Sequence, residues 1–153
     1  MPNNNRDRGH NYERETIDNY KKIGYPHTVS SRSENRTRDG EKVDLCNHNE
    51  LKNGRLPFNV QCKTTSGNLA YEKVLGEIEL IEGIINVVLN KKTKKSEKGR
   101  FICKERYAFL YEIDFFKLIE ERNKYQKAYE LLLGYIPATF MDKANVELKT
   151  LGL

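Results

Sequence analysis

Asp44, Gln61 and Lys63 are the residues whose types and spacing point most directly to chemistry. Asp44 lies in Val43-Asp44-Leu45, and the other two lie in Phe58-Asn59-Val60-Gln61-Cys62-Lys63. Asn53-Gly54, between these segments, is a strong hairpin-turn dipeptide, so the two are predicted to be antiparallel neighbours. Strand side chains alternate between faces, which puts Gln61 and Lys63 together. Asp44, flanked by inward Val43 and Leu45, is predicted to point to that same polar face. A carboxylate, an amide oxygen and an ammonium then lie close to one another. Hard divalent cations take oxygen ligands of this kind, and Mg²⁺ keeps waters that substrate phosphate can displace. A lysine beside such an ion can orient or deprotonate an attacking water and offset charge on the phosphate. An ordinary half-buried Asp–Lys cross-strand pair has the same pattern.

Glu13 is a second carboxylate of interest. It stands four residues before Ile17 and seven before Tyr20, in the first turn of a helix predicted over residues 12–23, and so leans toward that helix's apolar side. A carboxylate aimed inward needs a cation or a metal as partner. Arg14 is the nearest cation in sequence, and the helix dipole also favours an acid at a helix start.

The elements that must position these groups follow from periodicity. Tyr12, Thr16, Ile17, Tyr20 and Ile23 form the stripe of the first helix, with Asn11 to cap it and Gly24 to end it. Strands are predicted at 27–33, 42–47 and 56–65, with a loop at 34–41. A second helix covers 71–81, with Val74, Leu75, Ile78 and Ile81 inward. Strands follow at 84–92, 101–103 and 107–113, and a helix capped by Asp114 runs from 115 to about 133. The order α-β-β-β-α-β-β-β-α predicts an α/β fold, a central mixed β-sheet flanked by helices. Residues 1–9 read as a flexible polar tail, 10–133 as the core domain and 134–153 as a C-terminal extension. Phe115, Phe116, Tyr125 and Tyr129 on the last helix read as packing or a subunit contact.

Composition narrows the function classes. The chain has 153 residues, 37% hydrophobic and 32% charged, which suits one domain. Its apolar residues come in dense blocks, against full disorder. The longest block, residues 84–89, is far short of the ~20 residues that span a bilayer. The polar start lacks a signal-peptide core, and three cysteines without a CxxC pair suit reduced thiols, so a cytoplasmic protein is predicted. Cys46, His48 and Cys62 match no zinc spacing and read as core thiols beside a histidine. The formal net charge is +5, but residues 91–106 alone carry eight basic and two acidic side chains, net +6. Such a stretch meets a polyanion or is a solvated loop.

His10-Asn11-Tyr12-Glu13-Arg14-Glu15, Gly24-Tyr25, Ser31-Arg32-Ser33, Val43-Asp44-Leu45 and Asn59-Val60-Gln61-Cys62-Lys63, in that order, resemble the motifs of the PD-(D/E)xK nuclease superfamily. Within it the chain is most similar to the archaeal-type Holliday junction resolvases and related phage and prokaryotic endonucleases. The resemblance covers residues 9–120 in element order and is carried by residues 9–66. It implies a restriction-endonuclease-like core and a metal-dependent DNA endonuclease that hydrolyses phosphodiesters with Mg²⁺ or Mn²⁺. It also implies branched DNA, a four-way junction by preference, as substrate. A homodimer then cuts two opposed strands symmetrically.

Carried over position by position, the resemblance makes Glu13 the acid of the first helix and Arg14 its support and a phosphate contact. Arg32 and Ser33 approach the DNA backbone. Asp44 becomes the central metal ligand, Gln61 occupies the second acidic position, the Cys62 carbonyl completes the metal shell, and Lys63 is the catalytic lysine. Arg36 and Arg38 fall in the loop that resolvases order against a junction arm. Lys91, Lys92, Lys94 and Lys95 are candidate phosphate contacts to a duplex arm. Two departures stand out: Val43 replaces the proline, which is not a ligand, and Gln61 replaces the usual glutamate, which removes a negative charge and predicts weaker metal binding. A nuclease for another DNA structure remains an alternative. So do a non-catalytic DNA- or protein-binding module on a decayed nuclease fold and a structural protein of a virus-like particle.

Overall fold

A computed structural model describes residues 5–135, with side chains described as far as Leu132. The chain divides into two units, Met1–Tyr111 and Glu112–Leu153. The boundary falls earlier than the predicted core limit of 133. Residues 1–4 of the predicted tail and 136–153 of the predicted extension lie outside the described residues.

The first unit opens with α1, Asn5–Lys22. Residues 5–9, predicted as tail, are therefore helical, and Glu13 lies in mid-helix. Tertiary contacts extend the helix backward where polar sequence gives no stripe. The Arg8 guanidinium stacks 3.8 Å from the Phe101 ring centroid, and the Arg8 carbonyl accepts from Thr64 Oγ1 at 3.4 Å. Gly24, at φ +105°, turns the chain out of the helix, a conformation glycine adopts without a steric cost. Ile23 thus falls beyond the stripe and is exposed.

Next come β1 (Thr28–Ser30), α2 (Ser31–Glu34), α3 (Arg36–Gly40), β2 (Leu45–Asn47) and α4 (Glu50–Asn53). β1 and β2 pair antiparallel, with Val29 opposite Cys46. The predicted loop at 34–41 is largely helical turns, because the Asn35 side chain accepts from the backbone N–H groups of Thr37 and Arg38 and so caps α3. Asn53-Gly54 does not form the predicted hairpin. Asn47 donates to the carbonyls of Asn53 and Gly54 and closes the segment on itself, so no two-residue turn carries β2 into the next strand.

β3 (Phe58–Thr65), α5 (Tyr71–Gly76), β4 (Ile85–Lys95) and β5 (Phe101–Phe109) complete the unit. The three strands form a mixed sheet in the order β3-β4-β5. β3 and β4 run parallel with Gln61 opposite Val88, and the segment containing α5 makes the crossover that a parallel pair requires. β4 and β5 are an antiparallel hairpin. The basic stretch predicted as a loop is thus largely strand, because Lys91–Lys95 pair across to Phe101–Arg106. The two predicted strands after it merge into one. Lys92 faces Glu105 and Thr93 faces Cys103, which leaves Lys104 as the extra residue of a bulge. The molecule is α/β, a mixed three-stranded sheet and an antiparallel pair flanked by helices.

The core has two parts. Leu45, Leu56 and Val60 pack with Ile17 and Tyr20 of α1, while Val43, Leu75, Ile78 and Val88 pack with Val74 of α5. Fully burying side chains of this size contributes about 1.5–3 kcal/mol each. Val43 and Leu45 therefore belong to different clusters, contrary to the predicted shared inward face. Val43 precedes β2, just after Lys42 at φ +63°, so strand alternation does not apply to it. Asp44 between them joins the two sheets: its N–H donates to the Val60 carbonyl at 2.8 Å and its carbonyl accepts from the Ser31 N–H at 3.0 Å.

The second unit is described by α6, Glu112–Tyr135. It takes in Ile113, predicted to end a strand. Phe115, Phe116, Tyr125 and Tyr129 are exposed, with Ile113, Leu131 and Leu132. No helix among the described residues is long and apolar enough to cross a membrane.

Candidate metal centre and basic surround

Asp44 is fixed by the sheets it joins. Its Oδ2 accepts from the Cys62 N–H at 2.6 Å. Asp44 thus bonds the residues on both sides of Gln61, to Val60 through its N–H and to Cys62 through its carboxylate. Burial pushes the Asp44 carboxyl above the ordinary aspartate value. The Cys62 N–H pulls it back, the nearby Glu13 charge raises it, and Lys63 and Arg32 lower it. Two acids, a lysine and an arginine therefore share one electrostatic neighbourhood.

Gln61 is 4% exposed, and its Oε1 is buried with no hydrogen-bond partner among the described residues. Its same-face neighbour two residues back, Asn59, spends its amide N–H on Asn86 at 3.0 Å. An orphaned buried acceptor costs about 1–3 kcal/mol, so Gln61 Oε1 is an oxygen donor still available to an electropositive ligand.

Glu13 is buried and takes its partners from the next elements rather than from Arg14. Ser30 Oγ donates to it, and Arg32 lies 3.8 Å away. Arg14 is exposed. A cleft of about 380 Å³ opens here, lined by His10, Glu13, Arg14, Ser30, Arg32 and Ser33. Arg32 also touches the His10 ring and lies 3.9 Å from Asp39. Ser33 Oγ donates back to the Ser30 carbonyl at 2.9 Å. His10 and Ser30 are site residues that the sequence reasoning missed. His10 could have been found three residues before Glu13 on the same helix face, whereas Ser30 carries no such signal.

Other assignments separate. Arg38 is buried, 2.9 Å from Glu41 and 3.4 Å from Glu50, so its guanidinium is committed to two acids and not free for the phosphate contact expected of it. Arg36 is exposed on α3. Lys91 Nζ donates to Glu15 at 2.6 Å, and Arg106 bonds the other Glu15 oxygen. Burial would raise the Glu15 carboxyl, but these two cations outweigh it and hold it below its ordinary value. Lys92 is half-buried, while Lys94 and Lys95 are exposed with Lys98 and Arg100 toward the hairpin tip. The Cys46 thiol is pushed up to about 11 by burial, and burial also raises the Cys62 thiol. His48 pairs with Glu34 at 2.9 Å, so these three residues do not form a zinc site.

Among the described residues no three His, Cys, Asp or Glu side chains form a metal-binding group. Asp44 and Glu13 act on each other electrostatically, and Gln61 lies in β3 between the two residues whose backbone Asp44 bonds. The unpartnered Gln61 oxygen fits a hard cation. Comparison with family models, curated proteins and solved structures finds no match to this chain.

Proposed function

We propose that the chain is a metal-dependent DNA endonuclease with a restriction-endonuclease-like core, acting on branched DNA and by preference on a four-way junction. The observation that carries this reading is the buried, unpartnered Oε1 of Gln61, bracketed by the bonds of Asp44. Asp44, Gln61 and Glu13 would hold Mg²⁺ or Mn²⁺, with the Cys62 carbonyl as a further oxygen. The bound ion supplies Lewis-acid polarisation of a phosphoryl oxygen and a water of lowered pKa. Lys63 orients that water and offsets charge on the phosphate. Ser30 and Arg32 fix the Glu13 carboxylate, and Arg14 and Arg32 meet the DNA backbone from the cleft. The exposed lysines of the β4–β5 hairpin hold an arm of the substrate through its phosphates. A homodimer brings two such centres to opposed strands.

A labelled four-way junction incubated with and without Mg²⁺ tests this. Paired symmetric cuts that need the metal are expected, and Asp44→Ala should lose them while still retarding the junction on a gel. Metal-dependent cuts retained by Asp44→Ala would remove the metal assignment, and equal cutting of linear and branched DNA would remove the junction. A second reading is favoured by the presence of only two carboxylates. In that reading the chain is a DNA-binding module on the same fold, Mg²⁺ gives no calorimetric signal and Lys63→Ala changes nothing.

A further inference from the structure

Arg8 belongs to none of the groups above, yet its placement is unusual. Its Nε and Nη1 are buried and have no hydrogen-bond partner among the described residues. The guanidinium carbon lies over the Phe101 ring, 3.8 Å from its centroid, and Lys95 Nζ lies 5.8 Å from the same ring centroid. Stacking uses the face of a guanidinium and leaves its in-plane N–H donors for an acceptor. A cavity of about 260 Å³ opens at this point, lined by Arg8, Asn11, Thr64, Lys91, Thr93 and Phe101 among others.

The charge balance favours an anion. The nearby acid, Glu15, is already answered by Lys91 and Arg106 together. The hydroxyls of Thr64 and Thr93 donate to the carbonyls of Arg8 and Thr65, so the donors that remain are Nε and Nη1 of Arg8 and the Asn11 amide, with the Lys91 ammonium, one of whose protons goes to Glu15, alongside. Arg8 Nη2 donates to Asn5 Oδ1, so Nε and Nη1 remain as two separate unused donors, and a charged donor of this kind near an ammonium suits a phosphoryl oxygen.

We infer that this cavity is a second phosphate pocket, separate from the cleavage cleft, in which Arg8 holds a backbone phosphate of the bound DNA. Arg8 and Glu13 are five residues apart on α1, about 7.5 Å along and about 140° around the helix axis, so the pocket and the cleft open on different sides of α1. The inference rests on the DNA-binding part of the proposed function and is independent of catalysis.

The test uses the full-length chain carrying Asp44→Ala, in chelator, so that cleavage plays no part. Junction affinity is measured over a range of salt concentrations. Arg8→Gln should weaken binding about tenfold and reduce the salt slope by about one. Arg6→Gln, an equal loss of charge at an exposed position of the same helix, should do much less. Equal effects of the two substitutions would overturn the pocket and leave the nuclease reading standing, whereas no DNA binding by the unsubstituted protein would sink both. A second measurement needs no substitution at Arg8. Inorganic phosphate added to the unsubstituted chain should shift the Arg8 Nε–H resonance, and DNA should compete with it. A resonance that neither phosphate nor DNA moves would overturn the inference, as would a phosphate shift that DNA does not compete away.

Discussion

Arg38 and Asp44 lie six residues apart, and both carry charge into the protein, but their surroundings differ. The Arg38 guanidinium has acids on two elements, Glu41 just after α3 and Glu50 at the start of α4. The Asp44 carboxylate has one backbone N–H and a neighbouring acid in Glu13, and the residue between its two β3 partners, Gln61, has an amide oxygen with no partner among the described residues. Buried polar groups are nearly always paired. A fully answered charge ties elements together, whereas an unanswered group costs stability and persists where a ligand completes it. By that measure Arg38 anchors the fold, and Gln61, like Asn47 and Asn59, carries an oxygen left unanswered among the described residues; Gln61 is the one of the three that Asp44 brackets.

The largest expected effect tests the anchoring half. Arg38→Ala leaves the half-buried Glu41 and Glu50 without their cation and should cost about 3 kcal/mol, the low end for a broken buried pair. Urea unfolding would show it as a lower midpoint at unchanged slope. A variant as stable as the parent would erase the contrast. On the site half, Gln61→Glu restores the carboxylate that the resemblance leads one to expect. It should tighten Mg²⁺ about tenfold, or about 1.4 kcal/mol, by calorimetry. Unchanged affinity would mean that residue 61 is not a ligand.

Much of this frame was legible in the sequence. Tyr12, Thr16, Ile17 and Tyr20 do form the inward side of α1, and Leu75 does face inward from α5, whereas the helix predicted over 71–81 ends at Gly76, so Ile78 joins the same cluster from beyond it. These positions follow from periodicity, which is a local property. What sequence did not reveal depends on partners distant in the chain. Thr64 and Phe101 extend α1 backward to Asn5, and pairing with β5 turns the basic stretch into strand. Val43 and Leu45 diverge because Asp44 bridges two sheets rather than sitting inside one. Glu13, Asp44 and Lys63 do share an electrostatic neighbourhood, but the hairpin expected to bring Asp44 to Lys63 does not form, and Asp44 reaches β3 through the Val60 carbonyl and the Cys62 N–H instead. Arg38 was misread because an arginine in a charged segment gives no sign that two acids will enclose it.

The β4–β5 hairpin sharpens the same contrast from its exposed side. Lys94 and Lys95 have no acid partner among the described residues, and their heads are solvated, so their contribution is salt-sensitive. Replacing both with glutamine should leave stability within about 0.5 kcal/mol and lower the salt slope of DNA binding by about one for each lysine that meets a phosphate. Asp44→Ala should leave that slope unchanged. If the hairpin variant binds with the parent's slope, the arm of the substrate lies elsewhere.

The smallest effect is the most discriminating, because its sign depends on metal. Burial and Glu13 raise the Asp44 carboxyl above its ordinary value of 3.8, against the pull of the Cys62 N–H. The folded protein therefore holds that proton to higher pH than the unfolded chain does. Stability is greatest where both states are protonated, falls as pH rises between the two pKa values, and stays lower above them. Asp44→Asn removes the titration while its side-chain oxygen still accepts from the Cys62 N–H. In chelator at pH 7 the variant should melt a few degrees above the parent, where 2–4 °C corresponds to about 1 kcal/mol for a chain of this size. The gap should close toward pH 4. Saturating Mg²⁺ should reverse the order, because the parent gains binding free energy that the variant largely lacks. A variant less stable than the parent in chelator would mean that Asp44 is held by its protein contacts alone and needs no ion to complete it.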